Sequence, residues 1–164
     1  MRAHFTLPVL FLLAACTVPP PQETDALWQT FRQRCLTPLL RAAPFGPQGL
    51  VPVPPETVFP ETATGVPASP LDRAFRPETG EWRLFVASDV TAGICAVLSQ
   101  KPETLSRQSA RAWAKEAVNA KGFMYNHHNS STVEKRRGDD WITVKLDAAV
   151  GWNTAFIASF KPLR

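Results

Sequence analysis

Hydrophobic residues recur at helical spacing in two stretches of the chain. In the first stretch they lie three or four positions apart, at Leu27, Trp28, Phe31, Cys35 and Leu39. This spacing predicts an amphipathic helix with one buried stripe, which Thr24 or Asp25 can cap with a side-chain oxygen. Pro38 has no amide proton, so we expect the helix to kink or end near Thr37.

The second helical stretch covers residues 101–121, with Pro102 in its first turn and Gly122 after its end. Its inward stripe is predicted to contain Trp113 and several smaller residues: Leu105, Ser109, Ala112, Ala117 and Ala120. Three cations at positions i, i+4 and i+8 form what we call the basic ridge, namely Arg107, Arg111 and Lys115. The ridge is predicted to lie on an exposed face. This face either contacts an anionic membrane or partner, or it is simply solvated.

Alternation of apolar and polar residues predicts strands at 81–88, 94–99, 123–127, 141–147 and 153–160. The first two strands are apolar on both faces, so we expect their hairpin at the centre of a sheet. Residues 126–140 are polar and are predicted to form a loop. The element order is helix, two strands, helix, three strands. It predicts an α+β fold, with an antiparallel sheet of about five strands and two helices packed on it.

Prolines concentrate between the first helix and the first strand. Residues 42–80 contain nine of the sixteen prolines and four glycines, a density that neither helices nor central strands tolerate. We predict a long irregular segment, with at most one short edge strand near residues 49–53. Its apolar side chains indicate contact with the domain surface. The segment is either a strap that binds a partner or a packed spacer.

Charge is divided unevenly along the chain, whose formal net charge is +4. Residues 16–100 have 6 basic and 8 acidic side chains, net −2, whereas residues 101–164 have 11 and 6, net +5. The basic half could face anionic lipid headgroups, an anionic cell-wall polymer or an acidic protein, or it could be an ordinary solvated surface.

An apolar run near the amino terminus, from Phe5 to Leu13, follows the positive residue Arg2. It is too short to span a bilayer, which takes about 20 residues, and it predicts an export signal. The run ends in Leu13-Ala14-Ala15-Cys16. This motif resembles the lipobox of bacterial lipoprotein precursors, and the resemblance implies cleavage before Cys16 and acylation of its thiol and new amino group. The alternative is an ordinary secretory signal with a coincidental cysteine.

The resemblance implies a signal peptide at 1–15 and lipidation at Cys16. The prolines that follow predict a stem at 16–23, and the remaining length predicts a single domain at 24–164. Polyproline geometry gives the stem a length of about 20 Å, and two or more acyl chains hold a protein stably on a membrane. Thr17 stands where an Asp would favour the inner membrane. We therefore expect a periplasm-facing envelope protein without nucleic-acid partners. Of the two membranes, Thr17 favours the outer one.

Three cysteines are present. If Cys16 is lipidated, Cys35 and Cys95 remain, and an exported chain folds where disulfides persist. We predict a Cys35–Cys95 disulfide, with two buried thiols as the alternative.

Candidate catalytic residues cluster around His127 and His128. Ser130, Ser131, Asp139 and Asp140 follow them, and Glu134 with Asp139 or Asp140 would supply a pair of carboxylates. Zinc sites usually need three or four ligands at recognisable spacing, which the sequence lacks. We predict no metal and no cofactor. We expect a binding or scaffolding module without catalysis, whose partner is an envelope protein or cell-wall polymer. The alternative is a lipid-anchored hydrolase that uses His127 or His128.

Replacing Cys16 with Ser is expected to release the protein from membranes, because no thiol remains to be acylated. Fractionation of cells into membrane and soluble pools measures the effect, and Thr17→Ser is the control because it alters the neighbouring residue and keeps the thiol. A Cys16→Ser protein that stayed uncleaved in the membrane would show an anchor of another kind.

Overall fold

The computed structural model describes residues 25–54, 73–86, 93–146 and 154–160, with only the backbone described for 83–86. The helical elements are α1 (Ala26–Phe31), a π-helical turn (Arg32–Leu36), α2 (Thr37–Arg41) and α3 (Thr104–Ala120). The strands are β1 (Val51–Val53), β2 (Arg73–Arg76), β3 (Arg83–Val86), β4 (Ile94–Ser99), β5 (Met124–Asn126), β6 (Asn129–Arg137), β7 (Asp140–Lys145) and β8 (Thr154–Ser159). The predicted α+β class is confirmed.

All these strands belong to one antiparallel sheet, in the order β1-β2-β3-β4-β8-β7-β6-β5. At its centre β4 pairs with β8, from Ile94 opposite Ser159 to Ser99 opposite Thr154. All six residues of both strands are buried, because the sheet's two faces are both covered at this point. The prediction of a central position for 94–99 is confirmed, with β3 beside it.

The sheet has three more strands than the predicted five, and two of them come from the proline-rich segment. β1 is the short edge strand expected near residues 49–53, and it pairs with β2. Pro52 is exposed in this edge strand, where a missing amide proton interrupts no internal hydrogen-bond ladder. The segment predicted to be irregular therefore contributes regular structure at both ends, while residues 55–72 lie outside the described part.

The third additional strand is β6, where we predicted a polar loop. Val133 is its only apolar residue, so hydrophobic alternation could not reveal it. Its backbone groups are instead satisfied by pairing with β5 on one side and β7 on the other. Gly138, with a positive φ of 60°, lies in the turn that leads from β6 into β7.

Pro38 does not end the first helix, contrary to one of the two expected outcomes. The amide of Thr37 donates to the carbonyl of Arg32, five residues back, as a π-helical turn requires. Pro38 then falls in the first turn of α2, where its missing proton costs little. The helix continues to Arg41 and stops at Ala42, whose φ of 54° is left-handed.

Both helical stretches pack on the same face of the sheet around Trp28. The Trp28 ring lies 5.4 Å from Phe31, 5.6 Å from Trp113 of α3 and 5.3 Å from Phe156 of β8, measured between ring centroids. The Trp28 amide also donates to Ser106 Oγ at 3.3 Å. These contacts join α1, α3 and β8 into one core.

The buried stripe of α3 differs from the predicted one. It is formed by Ser106, Ala110, Trp113, Ala114 and Ala117, whereas Ala112 and Ala120 are exposed. Ser106 is buried because its hydroxyl accepts the Trp28 amide, a contact that hydrophobic spacing does not reveal. The helix is therefore rotated relative to the prediction, and Arg107 is partly buried rather than exposed.

The predicted disulfide between Cys35 and Cys95 is present, with 5.4 Å between the two Cα atoms. Both residues are fully buried. The bond joins the π-helical turn to the central strand β4, across a sequence separation of 60 residues.

Replacing both Cys35 and Cys95 with Ala is expected to lower the free energy of unfolding by about 4 kcal/mol, because the unfolded chain regains the entropy of an open loop. Urea unfolding of full-length protein measures the loss. Cys16→Ser is the matched control, since it removes a cysteine outside the disulfide. An unchanged unfolding midpoint in the double variant would contradict the prediction.

Candidate functional site

A half-open groove of about 510 Å³ lies between α3 and the edge of the sheet formed by β5 and β6. It is lined by Arg111 and Ala114 of α3, Tyr125 of β5, residues 129–131 of β6, and Leu146 just after β7. Sites for small molecules commonly have volumes of about 300–1,000 Å³. The groove is therefore large enough for a ligand of several polar groups.

The α3 wall of the groove carries the arginines of the basic ridge. Successive residues of an α-helix are about 100° apart, so Arg107 lies only about 40° from Arg111 around the axis. Contacts with α1 involve the other flank of α3, where Ser109 Oγ donates to Asp25 Oδ2 at 2.9 Å. Arg111 lines the groove, Arg107 lies one turn before it, and Lys115 is exposed outside the lining.

These three cations are not neutralised within the described part of the chain, where no ion pair or side-chain hydrogen bond is formed by Arg107, Arg111 or Lys115. By contrast, Lys121 lies 2.8 Å from Glu116. Its hydrogen bond and charge hold the pKa of Glu116 below its usual value.

Two carboxylates close to α3, those of Asp25 and Glu103, accept hydrogen bonds from other side chains. Asp25 Oδ2 accepts hydrogen bonds from Gln29 and Ser109, and Glu103 Oε1 accepts one from Ser99. None of these bonds involves a cation of the basic ridge.

Arg107 also has a hydrogen-bond donor that is not satisfied. Its Nε atom is buried and finds no acceptor among the described residues. An unsatisfied buried donor costs about 1–3 kcal/mol, and more when it belongs to a charged group.

The opposite wall presents neutral polar groups and an aromatic ring. Asn129 Oδ1 accepts hydrogen bonds from both the backbone amide and the hydroxyl of Ser131. This fixes the orientation of the Asn129 carboxamide, whose NH₂ group donates to no acceptor within the described part of the chain. Ser130 is exposed, and Tyr125 is 42% exposed. The backbone amide of Leu146 donates to the carbonyl of Ser131 at 2.8 Å, which holds this wall to the end of β7.

His127 and His128 occupy the turn between β5 and β6 and are exposed. The His128 amide donates to Asn126 Oδ1 at 2.8 Å, which supports the turn. Asp139 and Asp140 lie at the other end of β6. Because strand residues rise about 3.3 Å each, the length of β6 puts them roughly 27 Å away. The grouping of histidines with these aspartates, considered from the sequence, is therefore wrong.

The serine and glutamate candidates are also engaged elsewhere. The Ser131 hydroxyl donates to Asn129 rather than to a histidine, and Glu134 accepts a hydrogen bond from Asn126 at 3.0 Å. No cluster of three or more His, Cys, Asp or Glu side chains able to hold a metal occurs within residues 25–54, 73–86, 93–146 and 154–160.

Cys16 and the stem lie outside the described residues. Within the described part, no helix is both long and apolar enough to cross a membrane. Comparisons with protein-family models, curated proteins and solved structures found no match to this chain. Its function has to be inferred from its own residues.

Sequence reasoning identified the arginines but missed the wall that faces them. Tyr125 was assigned to a strand without a role, and residues 129–131 were assigned to a loop. One local signal was present: in Asn129-Ser130-Ser131, an Asn side chain can bond the amide two residues on. That spacing predicts a fixed Asn, although it does not show what the Asn faces.

Replacing His127 and His128 together with Ala is expected to leave the fold and the cellular phenotype unchanged, because both side chains are exposed and lie far from Asp139 and Asp140. Stability should change by no more than about 0.5 kcal/mol, measured by urea unfolding alongside complementation of a deletion strain. Loss of complementation by a folded double variant would revive the hydrolase hypothesis.

Proposed function

We propose that this chain is a lipid-anchored, periplasm-facing envelope protein that binds another envelope component and has no catalytic role. The observation that carries the proposal is the groove, in which Arg111, unpaired within the described part of the chain, faces a wall of amide, hydroxyl and aromatic groups. Such a set of groups recognises a ligand through charge and directed hydrogen bonds.

The anchor in this proposal is Cys16. Acylation of the thiol and of the new amino group would provide the two or more chains that stable attachment needs. A stem of about 20 Å would keep the domain near the membrane surface, which limits its partners to proteins and polymers found there. The residue after the cysteine, Thr17, favours the outer membrane.

The partner is an envelope protein or a cell-wall polymer, and the basic flank of α3 favours one that carries negative charge. The alternative of a hydrolase has less support, since its histidines and aspartates lie at opposite ends of β6 and Glu134 accepts a hydrogen bond from Asn126. A binding role requires only that the groove walls stay fixed. The packing of Ala110, Ala114 and Ala117 against the core holds α3 in place.

The decisive experiment is cross-linking in living cells followed by purification of the protein in mild detergent. We expect one stoichiometric partner with the wild-type chain, strongly reduced by Arg111→Gln and lost with Cys16→Ser. Arg41→Gln is the matched control, because Arg41 is an exposed arginine in the last turn of α2, outside the lining of the groove.

Three results would contradict the proposal. Recovery of the same amount of partner with Arg111→Gln would show that binding does not depend on the groove. Equal losses in Arg111→Gln and Arg41→Gln would indicate nonspecific attraction by net charge. Undiminished recovery with Cys16→Ser would remove the anchor from the proposed role.

A further inference from the structure

We infer that the groove binds an acidic glycan, that is, a chain of sugar rings carrying carboxylate groups. The inference rests on the proposed function and names the ligand class of the same groove. It follows from three features of the walls: an arginine that is unpaired among the described residues, a carboxamide among hydroxyls, and an exposed aromatic ring.

The cationic wall supplies the site for a carboxylate. Guanidinium groups match carboxylates in planarity and in the spacing of their donors, and such charge-assisted bonds are about twice as strong as neutral ones. Arg111 lines the groove and makes no ion pair within the described part of the chain. A carboxylate in the groove would pair with this guanidinium, and Arg107, one turn before it on the helix, would add positive charge nearby.

The opposite wall suits sugar rings. Sugar hydroxyls and acetamido groups both donate and accept hydrogen bonds. The Asn129 NH₂ group can donate, the Ser130 hydroxyl can do both, and the Ser131 hydroxyl, whose proton goes to Asn129, can accept. Tyr125 adds a flat, partly exposed ring. The face of this ring is apolar, and its hydroxyl can form hydrogen bonds. A pyranose ring has the complementary apolar face and polar rim.

The shape of the site favours a glycan over a membrane surface. Lipid headgroups form a broad plane, which would meet the outermost cations of α3, including Lys115. A plane would not reach Ala114 and Leu146, which line the groove and are buried. A narrow polymer lying between α3 and β6 would contact both walls.

The test compares two tetrasaccharides that differ in their carboxylates. The first alternates N-acetylglucosamine with N-acetylmuramic acid, and the second is the neutral tetramer of N-acetylglucosamine. Binding is measured by calorimetry with full-length protein in a polyoxyethylene detergent, which contains no sugar. We expect the acidic tetramer to bind at least about tenfold more tightly, since a hydrogen bond to a charged group is worth about 1.5–3 kcal/mol.

Variants connect the binding to the groove. Arg111→Gln and Tyr125→Ala should each weaken binding of the acidic tetramer by about tenfold or more, whereas Tyr125→Phe should retain most of it. Lys115→Gln is the matched control, because it removes one charge from the same helix outside the groove, and its effect should stay within about twofold. Urea unfolding of every variant confirms that the fold is retained.

Absence of binding by the acidic tetramer, or equal binding of both tetramers, would overturn the inference. So would Arg111-dependent binding to vesicles of anionic phospholipid with no response to the glycan, which would assign the groove to headgroups. If the glycan does not bind but cross-linking in cells recovers an Arg111-dependent protein partner, the proposed binding function stands and only the glycan ligand is rejected. If both experiments fail, both the ligand class and the binding function are rejected.

Discussion

The packing of Trp28 determines how the helices lie on the sheet. Its ring contacts α3 through Trp113 and β8 through Phe156, and its backbone amide is bonded to Ser106. A helix held at both Ser106 and Trp113 cannot rotate about its axis without breaking a buried hydrogen bond or an aromatic contact. This constraint brings Arg107 and Arg111 to the flank beside β6, so the groove depends on a residue that does not line it.

Parts of the fold with strong local patterns could be predicted from the sequence. β4 was predicted with its observed limits, because a run of apolar residues between turns leaves few alternatives. The disulfide followed from the number of cysteines. β6 could not be predicted, since Val133 is its only apolar residue and its position comes from pairing with two neighbours. The burial of Ser106 was equally invisible, because it depends on an amide 78 residues away.

The candidate site was predictable only on one side. The spacing of Arg107, Arg111 and Lys115 placed three cations on one helix, but the rotation of α3 decides which of them reach the groove. The opposing wall requires that β6 be a strand, which the polar sequence concealed. The histidines attracted attention as reactive residues, yet their distance from the aspartates follows from the length of β6. Which residues line the groove is decided by contacts between segments distant in the sequence, and residue type alone does not reveal it.

The pairing of β4 with β8 has a consequence for how the chain folds if it is exported as proposed. Ser99 is aligned with Thr154, so the middle of the sheet joins segments that reach the oxidising compartment at different times. Until residues 154–159 arrive, β4 has an unpaired edge, and such edges invite association with other chains. Cys35 and Cys95 arrive earlier and can join there before that point. An early covalent link of this kind would keep the incomplete core compact until its last strand pairs.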